Sequence, residues 1–268
     1  MSERKATQHD AASEVRREQI VRELRRKGKV LVDDLATQFR ISTSTIRRDL
    51  GDLESDGMLR RTHGGAVPIE QFLYEPFRHL SSFQEQEQHH AYEKGQIGIA
   101  AAELVADGET IAIGAGTTTT QVARNLRHRK GITIVTNAVN IAMELSHSKD
   151  VKVFLTGGML SVEWFALVGP TSIAAAGELF VDKVFIGVDG VHPVHGLTTN
   201  YPDQAAIHQA MMKQARQKIA VADHTKIGVI GTALISPADH IDLLITDRKA
   251  DEKQLTAFIK RGIRICRA

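Results

Sequence analysis

Residues 41–50 read ISTSTIRRDL, and they decide how the front of the chain folds. Ser42 is a good helix N-cap, because its hydroxyl can accept a backbone N–H of the first turn. A helix from Thr43 to about Asp56 follows. With Ile46 set at zero and about 100° per residue, Leu50 falls near about 40° and Leu53 near about −20°, which makes one apolar stripe with Asp49 on its flank. Ser44 falls near about 160°, Arg48 near about 200° and Gly51 near about 140°, with Arg47 at the edge near about 100°. Hydroxyls and guanidiniums therefore crowd a face that no core can use. Arg can bond guanine edges bidentately, and Ser or Thr can reach bases or phosphates. The bland alternative is a solvated helix face. Gly51 costs a helix interior roughly 1 kcal/mol relative to Ala, and close approach by another backbone is one use for it.

Two shorter helical patterns precede this one. Val15, Ile20, Val21 and Leu24 form a stripe among charges between Ser13 and Lys27, ended by Gly28. Asp33 or Asp34 starts DDLATQF, and Arg40-Ile41 turns into the third helix. Gly57 stops that helix, and MLRRTHGGAV reads as a hairpin carrying Arg60, Arg61 and His63. Three helices, a tight turn and a basic hairpin match a winged helix-turn-helix over residues 13–67, with the third helix in the major groove of double-stranded DNA. The first ten residues read as disordered, and 68–88, rich in Gln, Glu and His, as a linker.

From Tyr92 the texture changes. Apolar runs recur at TIAIG (110–114), ITIVT (132–136), VKVFLTGG (151–158), KVFIGVDG (183–190), KIAVAD (218–223), DLLITD (242–247) and IRIC (263–266), with helical patterns between most of them. This alternation predicts an α/β domain over 89–268 with a mostly parallel sheet covered on both faces. Gly116 and Thr117 to Thr120 form a loop between strand and helix, where backbone N–H groups favour an anion. The loop lacks the spacing of a nucleotide P-loop. Polar punctuation at other strand ends includes Asn137, Gly157-Gly158, Asp189, Thr198 and Lys226. Ligands collect at the carboxyl ends of strands in such sheets, so these groups suit a sugar-phosphate pocket. Lys226 would offer a point charge to phosphate, and Asp189 would bind sugar hydroxyls.

Composition sets the bounds. The 268 residues are 42% hydrophobic and 25% charged, with net charge +2. Residues 1–66 hold 14 Lys and Arg against 11 Asp and Glu, and the remainder 20 against 21. No basic tail advertises nucleic acid, which makes a DNA-packaging protein a poor reading. No apolar run approaches the roughly 20 residues that span a bilayer. The polar N-terminus lacks a signal-peptide pattern, so a cytoplasmic home is expected. The single cysteine, Cys266, excludes an intrachain disulfide and a multi-cysteine zinc site. His89-His90 and His192/His195 read as surface rather than metal ligands. No metal or cofactor is expected.

The segment STIRRDLGDLESDGMLRRTHGGA (44–66) closely resembles the N-terminal signature of the DeoR family of bacterial transcription regulators. The pattern T-I-R-R-D-L, L-E, G, R-x-H-G-G-A falls on Thr45–Leu50, Leu53-Glu54, Gly57, Arg61 and His63–Ala66. The resemblance continues to about Cys266, through Gly116-Thr117-Thr118, Thr136-Asn137, Thr156-Gly157-Gly158, Gly187–Gly190, Gly196–Thr199 and Asp223…Lys226. It implies DNA contacts from Thr43, Ser44, Thr45, Arg47, Arg48, Arg61 and His63. It implies an effector domain similar in fold to ribose-5-phosphate isomerase. A phosphorylated sugar would be held there by Gly116, Thr117, Thr118, Asn137, Gly157, Gly158, Asp189, Thr198, Gln204 and Lys226. A repressor acting as a homo-oligomer, dimer or tetramer, is the function implied. The chain departs from the family at Gly114 (usually Asp), Gln204 (usually Glu), His208 (commonly Lys) and His224-Thr225. The alternative, an isomerase-like enzyme, needs a carboxylate base, and Gly114 and Gln204 stand where carboxylates would be wanted.

Overall fold

Helix formation at the front starts earlier than the apolar stripe suggests. In a computed structural model, which describes residues 3–55, 58–68 and 82–268, α1 runs from Glu3 to Lys27. The first ten residues were expected to lack structure. Glu, Arg, Lys and Ala are strong helix formers, and a helix does not need an apolar face at every turn. A two-residue strand β1 (Val30–Leu31) leads into α2 (Val32–Phe39), which begins one residue before the expected Asp33. The two aspartates lie in its first turn, where they complement the helix dipole, and do not cap it. Arg40 takes a left-handed conformation at φ 56°, and α3 (Thr43–Ser55) follows. Asp56 and Gly57, the expected end of that helix, lie outside the described residues. Strands β2 (Leu59–Thr62) and β3 (Gly65–Pro68) form an antiparallel hairpin, and β1 adds to it in the order β1-β3-β2. Ile20, Leu24, Leu35, Ile46, Leu50 and Leu59 make the core between the helices and the hairpin, each no more than 2% exposed. This is the winged helix-turn-helix arrangement.

The chain divides into two compact units, residues 1–78 and 79–268. The second unit opens with α4 (Ser82–Gln88) and α5 (Ala91–Glu103). Residues 82–88 had read as linker. They form a helix because Phe83, 0% exposed, inserts into the unit and meets Phe165 edge to face. Residues 69–81 of that expected linker lie outside the described residues.

Then come β4 (Thr110–Ile113), α6 (Thr117–Asn125), β5 (Ile132–Thr136), α7 (Val139–Leu145), β6 (Val151–Leu155), β7 (Met159–Ser161), β8 (Ala166–Val168), α8 (Pro170–Gly177) and β9 (Val181–Gly187). The chain continues through β10 (Gly190–His192), β11 (Gly196–Thr199), α9 (Pro202–Lys213), β12 (Ala215–Val221), β13 (Ala233–Ser236), β14 (Leu243–Thr246), α10 (Glu252–Ile259) and β15 (Arg264–Arg267).

Seven strands form one sheet in the order β15-β14-β12-β9-β4-β5-β6, every neighbouring pair parallel. These are the seven apolar runs of the sequence. Alternation along the strands feeds two separate cores. Ile111, Ile113, Phe185 and Ile219 pack on one face with α5, α6 and α7 through Ile97, Val122, Leu126 and Ile141. Ala112, Val184, Ile186 and Ala220 pack on the other with α9 and α10 through Ile207, Met211, Leu255 and Phe258. Burial on both faces explains why the strands read as continuous apolar runs.

Two smaller sheets were not expected. β10, β11 and β13 pair antiparallel, and β7 pairs with β8. Their strands are three or four residues long, too short for periodicity to mark.

Candidate functional site

On α3 the stripe is as the periodicity required. Ile46, Leu50 and Leu53 are buried, while Ser44, Arg47 and Arg48 are exposed. The Ser42 hydroxyl caps the helix by accepting the Thr45 N–H at 3.2 Å. Ser44 and Thr45 hydroxyls each lie 2.8 Å from the Ser42 hydroxyl, so they are held at the helix mouth. Thr43 is half-buried at the first position. Neither Arg47 nor Arg48 has an ion-pair partner among the described residues.

Asp49, on the flank of that stripe, has a distant partner. It is 3% exposed and holds the Arg16 guanidinium by two hydrogen bonds, 2.6 and 3.0 Å, with Arg17 at 3.5 Å. The contact raises the Arg16 pKa, chiefly through the hydrogen bond to Asp49. The aspartate thus clamps α1 to α3 and leaves the two neighbouring arginines to point outward. A residue pair 33 positions apart leaves no local signal. Arg61 of the wing is also engaged. Its side chain lies 3.3 Å from Glu54, whose other oxygen accepts the Arg61 N–H at 2.8 Å. Among the described residues no second backbone approaches Gly51. A side chain there would meet the Arg61 guanidinium at 3.3 Å. His63 stands exposed at the hairpin turn.

The larger unit holds a cavity of about 360 Å³ at the carboxyl ends of β4, β9 and β12. The strand order places it where the sheet reverses direction of growth. From β4 the chain adds β5 and β6 on one side, and from β9 it adds β12, β14 and β15 on the other. Ligands bind at such switch points in open α/β sheets. Of the expected effector residues, Gly116, Thr117, Thr118, Asp189, Gln204 and Lys226 line it.

Gly116 is the N-cap of α6 at φ 153°, ψ 160°, and no side chain caps this end. The first-turn N–H groups therefore remain for an anion. Lys94 of α5, which the sequence did not single out, lines the same end. Its ammonium donates to the Gln86 carbonyl of α4. Burial lowers its pKa below the usual lysine range, with the nearby Asp223 charge opposing. At the other end, one Asp189 oxygen accepts from the Thr199 hydroxyl and the Asn200 N–H, both at 2.8 Å. Back at the Lys94 end, Asp223 accepts the Thr225 N–H at 3.0 Å and so caps the turn that carries Lys226.

Four expected residues do not reach the cavity. Asn137 is fully buried and bridges two segments, accepting the Ala115 N–H at 3.0 Å and donating to the Leu167 carbonyl at 3.1 Å. It shapes the β4–α6 loop from behind. Gly157 and Gly158 shape the turn from β6 into β7. At Gly158, with φ 115°, a side chain would meet the Val168 carbonyl at 2.7 Å. Thr198 faces the small antiparallel sheet, donating to the Gly190 carbonyl at 3.1 Å and accepting the Gly231 N–H at 2.7 Å. Its neighbour Thr199 lines the cavity instead, because strand residues alternate.

Gly114 and His208 form one unit. A side chain at 114 would come within 2.7 Å of the His208 ring, which therefore occupies the space an aspartate would need. His208 is 1% exposed and neither ring nitrogen has a partner among the described residues. Desolvation lowers its pKa to about 4, against a small raising effect of Asp189. The loop thus carries no carboxylate at 114 to serve as a base.

The histidine pairs are turn and packing elements. The His192 ring accepts the Val194 and His195 N–H groups at 3.1 and 3.3 Å. His90 stacks edge to face on His224, whose ring lies 3.0 Å from Asp247. Among the described residues no group of three His, Cys, Asp or Glu could hold a metal ion. None of the described helices is long and apolar enough to cross a membrane.

A winged helix with a cationic outward face, on one chain with an α/β unit holding a polar cavity, is the plan of a DNA-binding regulator. Two family models match: a DeoR-like helix-turn-helix domain over residues 16–72 and a DeoR C terminal sensor domain over residues 89–248. The chain belongs to the DeoR family of transcriptional regulators and is not an enzyme. The HTH-type transcriptional regulator GolR of Listeria innocua is 32% identical over 248 residues, covering 92% of this chain and 96% of that protein. The HTH-type transcriptional repressor GlcR of Bacillus subtilis is 31% identical over 242 residues, covering 90% and 91%. Among solved structures, ribose 5-phosphate isomerase A of Methanocaldococcus jannaschii matches 50% of this chain and 52% of its own, with a TM-score of 0.38 and 18% identity.

Proposed function

We propose that this regulator represses a carbohydrate-utilisation operon, and that a phosphorylated sugar bound in the larger unit releases it from operator DNA. Repression accords with the name of GlcR, a transcriptional repressor. The observation that carries the effector is the pairing of two ends in one cavity. One end offers Lys94, Lys226 and the uncapped α6 N-terminus to a phosphate. The other offers Asp189, Asn200 and Gln204 to hydroxyls.

Binding must distinguish a DNA-competent state from an incompetent one, or it shifts nothing. Helix α4 supplies that difference. It follows directly on the 69–81 segment and lines the cavity with Ser82, Glu85 and Gln86. A phosphate drawn to Lys94 competes with the Gln86 carbonyl that now accepts from it. Glu87 of α4 also pairs with Arg124 of α6 at 2.7 Å, so α4 senses both the anion end and the helix behind it. The regulator acts as a homo-oligomer on two operator half-sites. Exposed Phe154, Leu155, Met159 and Leu160 on β6 and β7 are available for self-association.

Two measurements test this reading. Arg48→Ala should weaken specific operator binding by about 1–3 kcal/mol in a gel-shift titration, as expected for a base-contacting arginine. Unchanged affinity would remove Arg48 from the DNA interface. Lys226→Ala should retain operator affinity while the sugar phosphate that displaces the parent protein no longer displaces the variant. Loss of DNA binding and response together would instead assign Lys226 a structural role.

A further inference from the structure

The cavity has a third wall that neither phosphate nor hydroxyl recognition uses. Trp164, the chain's one tryptophan, and Tyr201 both line it, with ring centroids 5.0 Å apart and planes inclined at 59°. We propose that this aromatic corner makes the site select a phosphorylated sugar in its closed-ring form over the open-chain form. The inference rests on the phosphosugar reading above and adds the shape of the ligand.

Trp164 is held rigidly. It sits in the short helical turn 162–164 between β7 and β8, and it packs by one side against the α5–α6 core. Its indole nitrogen is buried on the Tyr201 side, and packing against the core fixes the ring. The turn is braced from α4, where the Ser82 hydroxyl donates to Glu163 at 2.8 Å and Phe83 meets Phe165 at 5.5 Å. Tyr201 is the N-cap residue of α9, three positions before Gln204 on the same wall. An aromatic face carries negative potential and attracts the weakly positive C–H groups of a ligand. A pyranose or furanose ring presents such C–H groups together on one flat face, while its hydroxyls project from the rim. Asp189, Asn200 and Gln204 are placed to receive that rim. An open-chain sugar has no flat face, and it must freeze several extra torsions to occupy the same space.

The experiment compares matched probes on the full chain: 1,5-anhydroglucitol 6-phosphate against glucitol 6-phosphate, with the galacto, manno and 2,5-anhydro (furanoid) pairs alongside, and inorganic phosphate as the shared-group control. Thermal shift reports all variants, and Trp164 emission reports the parent protein. At least one closed-ring probe should bind tenfold or more tightly than its open-chain partner and change the Trp164 emission. Trp164→Ala should bring that ratio to within twofold while stabilisation by inorganic phosphate persists. Trp164→Phe, which keeps an aromatic face, should retain part of the ratio. Equal binding of ring and chain by the parent protein, or a ratio that survives in Trp164→Ala, overturns the aromatic selection and leaves the phosphosugar site standing. Tighter binding of adenosine 5′-phosphate than of any sugar probe also overturns it. If neither inorganic phosphate nor any sugar phosphate stabilises the parent protein, the phosphosugar reading itself fails.

Discussion

Replacing Glu144 by alanine should destabilise the larger unit by about 3–5 kcal/mol, the scale of removing one member from a buried charge cluster. Glu144 is 2% exposed at the inner side of α7. One of its oxygens accepts from Arg124 at 2.7 and 2.9 Å, and the other from Arg127. Arg127 also donates to the Glu144 carbonyl at 3.0 Å. Both arginines are 8% exposed, so water cannot readily replace the lost carboxylate. Denaturant unfolding followed by Trp164 emission takes its signal from this unit, where the only tryptophan lies. A loss under about 1 kcal/mol would show that the remaining contacts of the two arginines, Glu87 among them, suffice to hold their charges. The same cluster reaches α4 through Glu87, so the variant should also respond differently to effector.

Acid should weaken the same unit through His208. The ring is buried and neutral, with a pKa lowered to about 4 by desolvation. In the unfolded chain it protonates near the ordinary 6.5. Below pH 6.5 the unfolded state therefore binds a proton that the folded state refuses. Stability from this group is complete above that pH and falls by roughly 1.4 kcal/mol per unit as pH drops towards 4. The total over the window is about 3 kcal/mol. His208→Leu removes the titration, so the difference in unfolding free energy between parent and variant should change across pH 6.5 to 4 and be flat above 7. A difference that stays constant through the acid window would place a proton acceptor or water beside the ring.

Much of this was legible before the fold was known, and the reasons are local. The face of α3 follows from 100° per residue. The seven sheet strands follow from apolar runs that only double-sided burial explains. The glycine and threonines after β4 announce a strand-to-helix loop with free N–H groups. What escaped was set by distant partners. Lys94 lies on a plain helix, and it matters only because α5 is folded against the cavity. Asp49 was placed on the flank of the apolar stripe, but its partner Arg16 lies on another helix. Asn137 and Thr198 had the right chemistry at strand ends but point away, since a one-residue step along a strand reverses the side chain.

By itself the sequence determined the seven strands of the main sheet, which face of α3 is cationic, and that no carboxylate stands at 114 or 204. Those properties depend on neighbours within a few residues, where spacing alone sets direction. Strand order was decided only in three dimensions. Parallel strands joined by helical crossovers can be laid down on either side of those already in place, and local pattern is the same in both cases. Putting β9 beside β4 opened the switch point between them, and the residues that line the cavity follow from that pairing.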